Sequence, residues 1–222
     1  MTPSDRGRDP GEGSRFRVLG SERPFRGHII NVRLDRIADG DGREAVREVV
    51  EHPGAVGGLV LDEDGRVVLV EQWRQAMGRR MLEIVAGKYD VEGEAPEETL
   101  RRELAEELGY EGGTLTFMTS FATTPGWSNE VVDLYLVDGA RPMPADRRPE
   151  PDWEEIGLRA VVLPLDEALR AATGRDVGDS KTIVALALYS LYRAGSWAPD
   201  PAARPARRPT GRPAGGTGGG AA

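Results

Sequence analysis

The chain has 222 residues, no cysteine, a formal net charge of −8, and a composition that is 39% hydrophobic and 30% charged. That length suits one domain with a core of its own and a small extra sheet; disulfides, thiolate metal sites and cysteine nucleophiles are excluded, and the acidic balance argues against a general nucleic-acid surface. No apolar run approaches a membrane span and the polar start MTPSDRGRDPGEG lacks the apolar stretch of a signal peptide, so a cytoplasmic protein without a membrane partner is expected.

Residues 1–14 combine Gly, Pro, Ser and charge without an apolar period and read as disordered. The stretch 15–52 reads as an N-terminal β region. In FRGHIINVRLDRIADG the apolar residues Ile30, Val32 and Leu34 alternate, and the Asp-Gly pairs at Asp39–Gly40, Asp41–Gly42 and Asp64–Gly65 mark hairpins. DGDG lacks the ligand spacing of a calcium loop. The main domain is expected over 53–197. RMLEIVAG reads as one strand, followed by an acidic helix from Pro96 to Gly109, the strands GTLTFMTSFAT and EVVDLYLVDG, and the four-proline loop PMPADRRPEPDWEE. A strand in IGLRAVVLPL and helices in DEALRAAT and SKTIVALALYSLYRAG follow, the last with Ile183, Val184, Leu186, Ala187 and Leu191 as its apolar face. Residues 198–222, with five prolines and four arginines among Ala and Gly, read as a disordered tail. Many strands with few helices, not in strict alternation, indicate an α+β or layered α/β/α domain.

The acidic helix carries the chemistry. From Asp90 to Glu111 there are nine carboxylates against two arginines. Leu100, Leu104 and Leu108 recur every fourth residue as the buried stripe, and Glu103, Glu106 and Glu107 fall together in an arc of about 100° beside it. Like charges at i, i+3 and i+4 cost a few tenths of a kcal/mol per pair on an exposed helix, and more when partly buried. Glu106 and Glu107 also stand near the helix C-terminus, where the dipole disfavours anions. On composition alone a solvated acidic face and a cation site are equally good readings. A divalent cation would remove the cost, because hard cations take carboxylate oxygens.

The order of residues separates the two. Glu94, then seven residues, then Arg102–Glu103–Leu104, Glu106–Glu107 and Gly109 resembles the Nudix box. Two positions depart from that pattern. Tyr110 stands where an aliphatic is usual. Gly87 precedes Glu94 by six intervening residues where the pattern has five, leaving Lys88 at the glycine position and an extra residue in the loop beside Gly93. The resemblance implies a Nudix-type α/β/α sandwich that hydrolyses a nucleoside diphosphate linked to another group. It implies Mg²⁺ or Mn²⁺ held by Glu103, Glu106, Glu107 and the backbone carbonyl of Ala86, with Arg102 paired to Glu94.

Four further stretches resemble the ADP-ribose pyrophosphatase-like subfamily, and each also has a plainer reading. SFATTPGWSNE places Pro125 fifteen residues beyond Tyr110, followed by Glu130, as in that subfamily's proline-glycine element; a type II turn between strands reads as well. REVVEHPGAV matches a strand whose arginine and glutamate, here Arg47 and Glu48, reach the partner subunit's substrate; a charged pair on an amphipathic strand is the alternative. VLVEQWRQ ends in Arg74, where the subfamily has an arginine near the substrate diphosphate, to whose oxygens a guanidinium donates in parallel; a surface arginine at a strand end is the alternative. EPDWEEIGL supplies the subfamily's loop glutamate that serves the attacking water, Glu154 by its distance to Ile156, with Glu155 as the rival and solvated loop acids as the alternative. The resemblance also implies that the N-terminal strands form an antiparallel sheet used for homodimerisation, and that the substrate is a nucleotide sugar. Another nucleoside diphosphate derivative, an oxidised nucleotide, or a non-catalytic ADP-ribose sensor are the competing readings.

Overall fold

A computed structural model describes residues 15–150, 153, 156–174 and 178–205. The chain divides into two compact units, one of residues up to His52 with Thr124–Asn129, the other of Pro53–Thr123 with the residues from Glu130.

The smaller unit is an antiparallel sheet of β1 (Arg17–Arg26), β2 (Asn31–Ala38) and β3 (Glu44–Glu51). β2 and β3 pair without interruption from Asn31↔Glu51 to Ala38↔Glu44. Their hairpin is the expected Asp-Gly turn. Gly42 N–H donates to the Asp39 carbonyl at 3.1 Å, while the Asp39 carboxylate accepts from the backbone N–H groups of Asp41 and Arg43. β1 pairs with β2 through two bulges, after Val18 and after Glu22. Arg33 bridges Asp35 and Glu51, and Arg23 adds a fork onto Glu51, so a charged lattice helps tie these strands, beside the buried Ile37 and Ala38. Phe16, Val18, Phe25, Ile29 and Val46 are exposed.

The larger unit is a mixed seven-stranded sheet ordered β10-β5-β4-β9-β8, with β6 added to β5 and β7 to β4. Its strands are β4 (Ala55–Asp62), β5 (Val67–Arg74), β6 (Arg79–Glu83), β7 (Val85–Lys88), β8 (Tyr110–Ala122), β9 (Val131–Pro142) and β10 (Arg159–Leu163). Every residue of β4 is buried, as a strand covered on both faces requires. Alternation along it divides the core: Leu59 and Leu61 join Leu69, Ile84, Ala185, Leu186 and Tyr189 on one face, Val56 and Val60 join Val68, Leu100, Leu104 and Leu108 on the other. Helices α2 (Leu165–Thr173) and α3 (Ser180–Arg193) cover the first face, and α1 (Pro96–Glu103) covers the second. The result is the α+β, layered α/β/α fold that the element pattern predicts.

Three details differ from expectation. RMLEIVAG is two strands, because at Ile84 the chain leaves β5 for β4 and the Ile84 N–H donates to Thr182 Oγ1 of α3 at 2.9 Å. The acidic helix is α-helical only to Glu103 and widens into a π-helical turn over Leu104–Leu108, while Leu100, Leu104 and Leu108 stay buried as predicted. α3 buries Thr182, Ala185, Leu186 and Tyr189, leaving Ile183 and Leu191 exposed, since its polar first turn is drawn inward by hydrogen bonds described below. Beyond α3, Trp197 packs on the first core face and Asp200–Ala203 form a turn. No helix among the described residues is long and apolar enough to cross a membrane.

Candidate active site

The site is built where α1 meets β7. Pro96 opens the helix in extended-to-helical geometry with Glu97 and Glu98 in the first turn, and the Glu98 carboxylate accepts from the Ala95 N–H at 2.9 Å, satisfying an orphan donor. Glu94, just before the helix, accepts from Thr99 Oγ1 at 2.8 Å and from Arg102 at 3.3 and 3.4 Å. The Arg102 bonds hold the Glu94 carboxyl below its ordinary range, with Thr99 assisting. Arg102 also donates to Glu103 at 2.8 Å and to Glu106 at 2.9 Å. One guanidinium thus ties the loop before the helix to two helical carboxylates, as the Arg102–Glu94 pairing implied.

The widened turn falls among the carboxylates. π-turns inside helices concentrate at sites of function, and this one begins immediately after Glu103 and contains Glu106 and Glu107. Glu107 Oε2 accepts, at 3.4 Å, from the Ala86 N–H of β7. Ala86, Glu103, Glu106, Glu107, Arg102 and Glu94 are therefore brought to one place. Gly87 explains how the strand comes so near: a Cβ there would lie 2.3 Å from Glu103 Cγ and 2.4 Å from its Oε1. Although displaced in sequence, Gly87 performs the close approach that a glycine permits. The extra residue is taken up in the loop Tyr89–Glu94, where Gly93 has φ +83° and Glu94 N–H turns back to the Val91 carbonyl.

Burial pushes the Glu103 carboxyl up to about 7, with Glu106 adding to the rise and Arg102 opposing it. Burial, then the neighbouring Glu103 charge, pushes Glu107 up to about 8, opposed by the Ala86 N–H and by Arg74. Two half-buried carboxylates, one raising the other, cannot both ionise cheaply without a cation beside them. Among the described residues no three acidic or histidine side chains converge as a ready cage, Arg102 being the cation that engages Glu103 and Glu106. The side-chain donors Glu103, Glu106 and Glu107 are nonetheless all carboxylate, and Glu103 and Glu107 are destabilised in their charged form, which fits a hard divalent ion. A sign follows for stability. A carboxyl whose pKa rises on folding stabilises the fold while protonated, fully below the ordinary value of 4.5, and that contribution is lost as pH climbs through 7 and 8. Without added cation, the melting temperature is expected to fall between pH 5 and pH 8.5, and Mg²⁺ is expected to restore it at the higher pH but not the lower. Thermal melts at both pH values check this.

Arg74, at the end of β5, forks onto Glu83 at 2.6 and 2.7 Å. Glu130 accepts from Thr123 Oγ1 at 2.6 Å, closing the base of the loop that carries Pro125. In the smaller unit, Pro125 lies in a turn closed by the Trp127 and Ser128 N–H groups on the Thr124 carbonyl. That turn is stitched to the end of β3 through the Val50 N–H, which donates to the Trp127 carbonyl at 2.8 Å. Arg47 and Glu48 stand exposed on the same strand, Arg47 lying 5.7 Å over the Phe16 ring. Glu154 and Glu155 lie outside the described residues. The Gly157 carbonyl that follows them accepts from Arg80 at 2.5 Å.

Three features escaped the sequence reading. Glu83 is 1% exposed, and a charge inside the apolar run of RMLEIVAG was a signal for it. Asp179 and Lys181 attach α3 to Glu83, visible in sequence only as one of two lysines in an arginine-rich chain. Arg148 lines a cleft of about 230 Å³ with Glu106, Glu107, Gly109, Pro149 and Leu158. A Cβ on Gly109, which has φ +65°, would meet the Arg148 guanidinium at 2.9 Å, so that glycine both ends the helix and admits the arginine.

The fold and this cluster define a protein of the class that packs a helix bearing glutamates against the backbone of a sheet strand in a layered α/β/α domain. The NUDIX domain model matches residues 51–186, and the chain belongs to the Nudix family, whose members generally use divalent metals. It is 34% identical over 178 residues to "ADP-ribose pyrophosphatase" of Bacillus subtilis (strain 168), covering 80% of this chain and 94% of that protein. It is 35% identical over 186 residues to "ADP-ribose pyrophosphatase" of Mycobacterium tuberculosis (strain ATCC 25618 / H37Rv), covering 84% and 88%. The "Methanol dehydrogenase activator" of Bacillus methanolicus is 34% identical over 179 residues, covering 80% and 94%. The solved structure "Crystal structure of ADP compounds hydrolase" shares the fold, with a TM-score of 0.67, 22% identity, and coverage of 83% of this chain and 98% of that one.

Proposed function

We propose that this protein is a Mg²⁺-dependent pyrophosphohydrolase, also served by Mn²⁺, that cleaves ADP-ribose or a related ADP-sugar to AMP and the sugar phosphate. The observation that carries this reading is the half-buried pair Glu103 and Glu107 against Ala86 and Gly87 in a chain so similar to ADP-ribose pyrophosphatases. Glu103, Glu106, Glu107 and the Ala86 carbonyl hold the metal. When bound, it supplies neutralisation of the diphosphate and a lowered pKa for attacking water. Arg102 and Glu94 fix the loop against the helix. Arg74 donates to the diphosphate, Pro125 and Glu130 shape the substrate site, and Glu154, with Glu155 as rival, takes the proton of the attacking water. Arg47 and Glu48 serve the substrate across a homodimer, for which the exposed Phe16, Val18, Phe25 and Val46 are suitable contact side chains. We place the enzyme in the cytoplasm.

Product formation (release of nucleotide product, followed for each substrate) measured with Mg²⁺ across ADP-ribose, ADP-glucose, GDP-mannose, diadenosine polyphosphates and 8-oxo-dGTP tests the substrate. ADP-ribose is expected to rank first by kcat/KM and chelation to abolish turnover. A low rank for ADP-ribose would remove the substrate assignment, and turnover that survives chelation would remove the metal.

A further inference from the structure

The buried ionic cluster joining α3 to the strand before the site has a composition that bears on Arg74. Glu83 is almost wholly buried yet meets two cations: Arg74 on both oxygens, at 2.6 and 2.7 Å, and Lys181 Nζ at 3.4 Å from Oε2. Lys181 is itself held by Asp179 at 2.6 Å. Asp179 caps α3, accepting from the Thr182 N–H at 2.8 Å and from Thr182 Oγ1 at 2.6 Å. Thr182 Oγ1 in turn accepts from the Ile84 N–H, two residues before Ala86. The helix start is therefore fastened to the chain that leads into the site at Glu83 and at Ile84.

Charge decides what this fastening does. Glu83 and Asp179 balance Arg74 and Lys181, so the cluster is neutral. Arg74 is close enough to Glu107 for each to stabilise the other's charge. If Lys181 lost its charge, Glu83 would have Arg74 as its one cation and the cluster would carry an unbalanced negative charge in a buried setting. The Glu83 carboxylate, which already holds Arg74 in a fork, would then lose its tie to Lys181 and the start of α3, and the fork would be free to shift, because buried charges must be compensated locally. We propose that Lys181 is a positioning residue: by fixing Glu83 from the α3 side it steadies the Glu83–Arg74 fork, and with it the place from which the Arg74 guanidinium meets the diphosphate of the substrate. This rests on the reading of Arg74 as a diphosphate ligand.

Binding of ADP in the presence of Mg²⁺, measured by calorimetry, tests this without relying on turnover. Arg74→Gln is expected to weaken ADP by about tenfold or more, and Lys181→Gln by about tenfold, the scale of one charge-assisted contact. The double variant is expected to be no weaker than Arg74→Gln alone, since Lys181 acts through Arg74. Lys181→Arg, which keeps the charge, is expected to stay within about threefold of the parent. In turnover, Lys181→Gln should raise KM while kcat changes by less than about threefold, whereas loss of folded protein alone lowers apparent kcat and spares KM. Wild-type ADP affinity in Lys181→Gln, or full additivity with Arg74→Gln, would overturn the proposal while leaving Arg74 in place. Unchanged ADP affinity in Arg74→Gln would instead overturn the Arg74 reading. Lys181→Met is the second neutral variant should the Gln form not fold. If neither folds, Lys181→Arg decides, and a tenfold loss of ADP affinity in that folded variant counts against the proposal.

Discussion

Glu107→Gln is expected to lower kcat by about a thousandfold or more, a loss of about 4 kcal/mol in transition-state stabilisation, while making the metal-free protein more stable at pH 8. The two effects have one cause. The Glu107 carboxyl is pushed up to about 8 by burial and by Glu103, so at pH 8 the metal-free fold bears the cost of an ionising buried group. Glutamine keeps the shape and can still accept from the Ala86 N–H, but it never ionises. The gain is expected to be several degrees in melting temperature at pH 8 and close to nothing at pH 5, where the native carboxyl is already protonated. With saturating Mg²⁺ the order reverses, because the cation stabilises only the chain that can bind it. Melting curves at both pH values with and without Mg²⁺, beside steady-state rates, check all of this. A variant equally destabilised at both pH values would mean that Glu107 is a packing residue, and one that retains more than a tenth of the parent rate would remove it from the metal set.

The acidic arc was legible because three glutamates at i, i+3 and i+4 break the local rule against like charges, and because Leu100, Leu104 and Leu108 fix which side of the helix is buried. The layered fold was legible in the length and spacing of the apolar runs. The π-turn was not, since it depends on how Glu103 to Leu108 meet β7 and β10 and leaves no mark in periodicity over five residues. The split of RMLEIVAG at Ile84 was hidden for the same reason: its cause, Thr182, lies 98 residues away in sequence. Lys181 and Glu83 are separated by the same distance. Motif reading finds residues that act within one turn or loop, and it passes over those whose partners arrive from another layer of the fold.

The second large effect concerns the glycine that stands one place out of pattern. Gly87→Ala is expected to lower kcat by about a hundredfold, the scale of a misplacement of about 1 Å in a catalytic group, and to cost about 1–3 kcal/mol of stability through overpacking. The added methyl would sit 2.3 Å from Glu103 Cγ, 2.4 Å from Oε1 and 2.5 Å from Cδ. Glu103 cannot simply swing aside, because Arg102 holds its carboxylate at 2.8 Å and Arg102 is bound in turn to Glu94 and Glu106. Moving it therefore disturbs the whole arrangement that joins loop to helix. The contrasting variant is deletion of Glu92, an exposed residue of the loop Tyr89–Glu94, which restores the usual spacing of five residues. Since short surface turns tolerate a change of one residue far better than a packed contact does, kcat is expected to stay within about fivefold. Rates and melting temperatures of the two variants separate the possibilities. An active Gly87→Ala with an inactive deletion would mean that the site depends on the longer loop, and the expected opposite outcome would mean that it depends on the absence of a side chain facing Glu103.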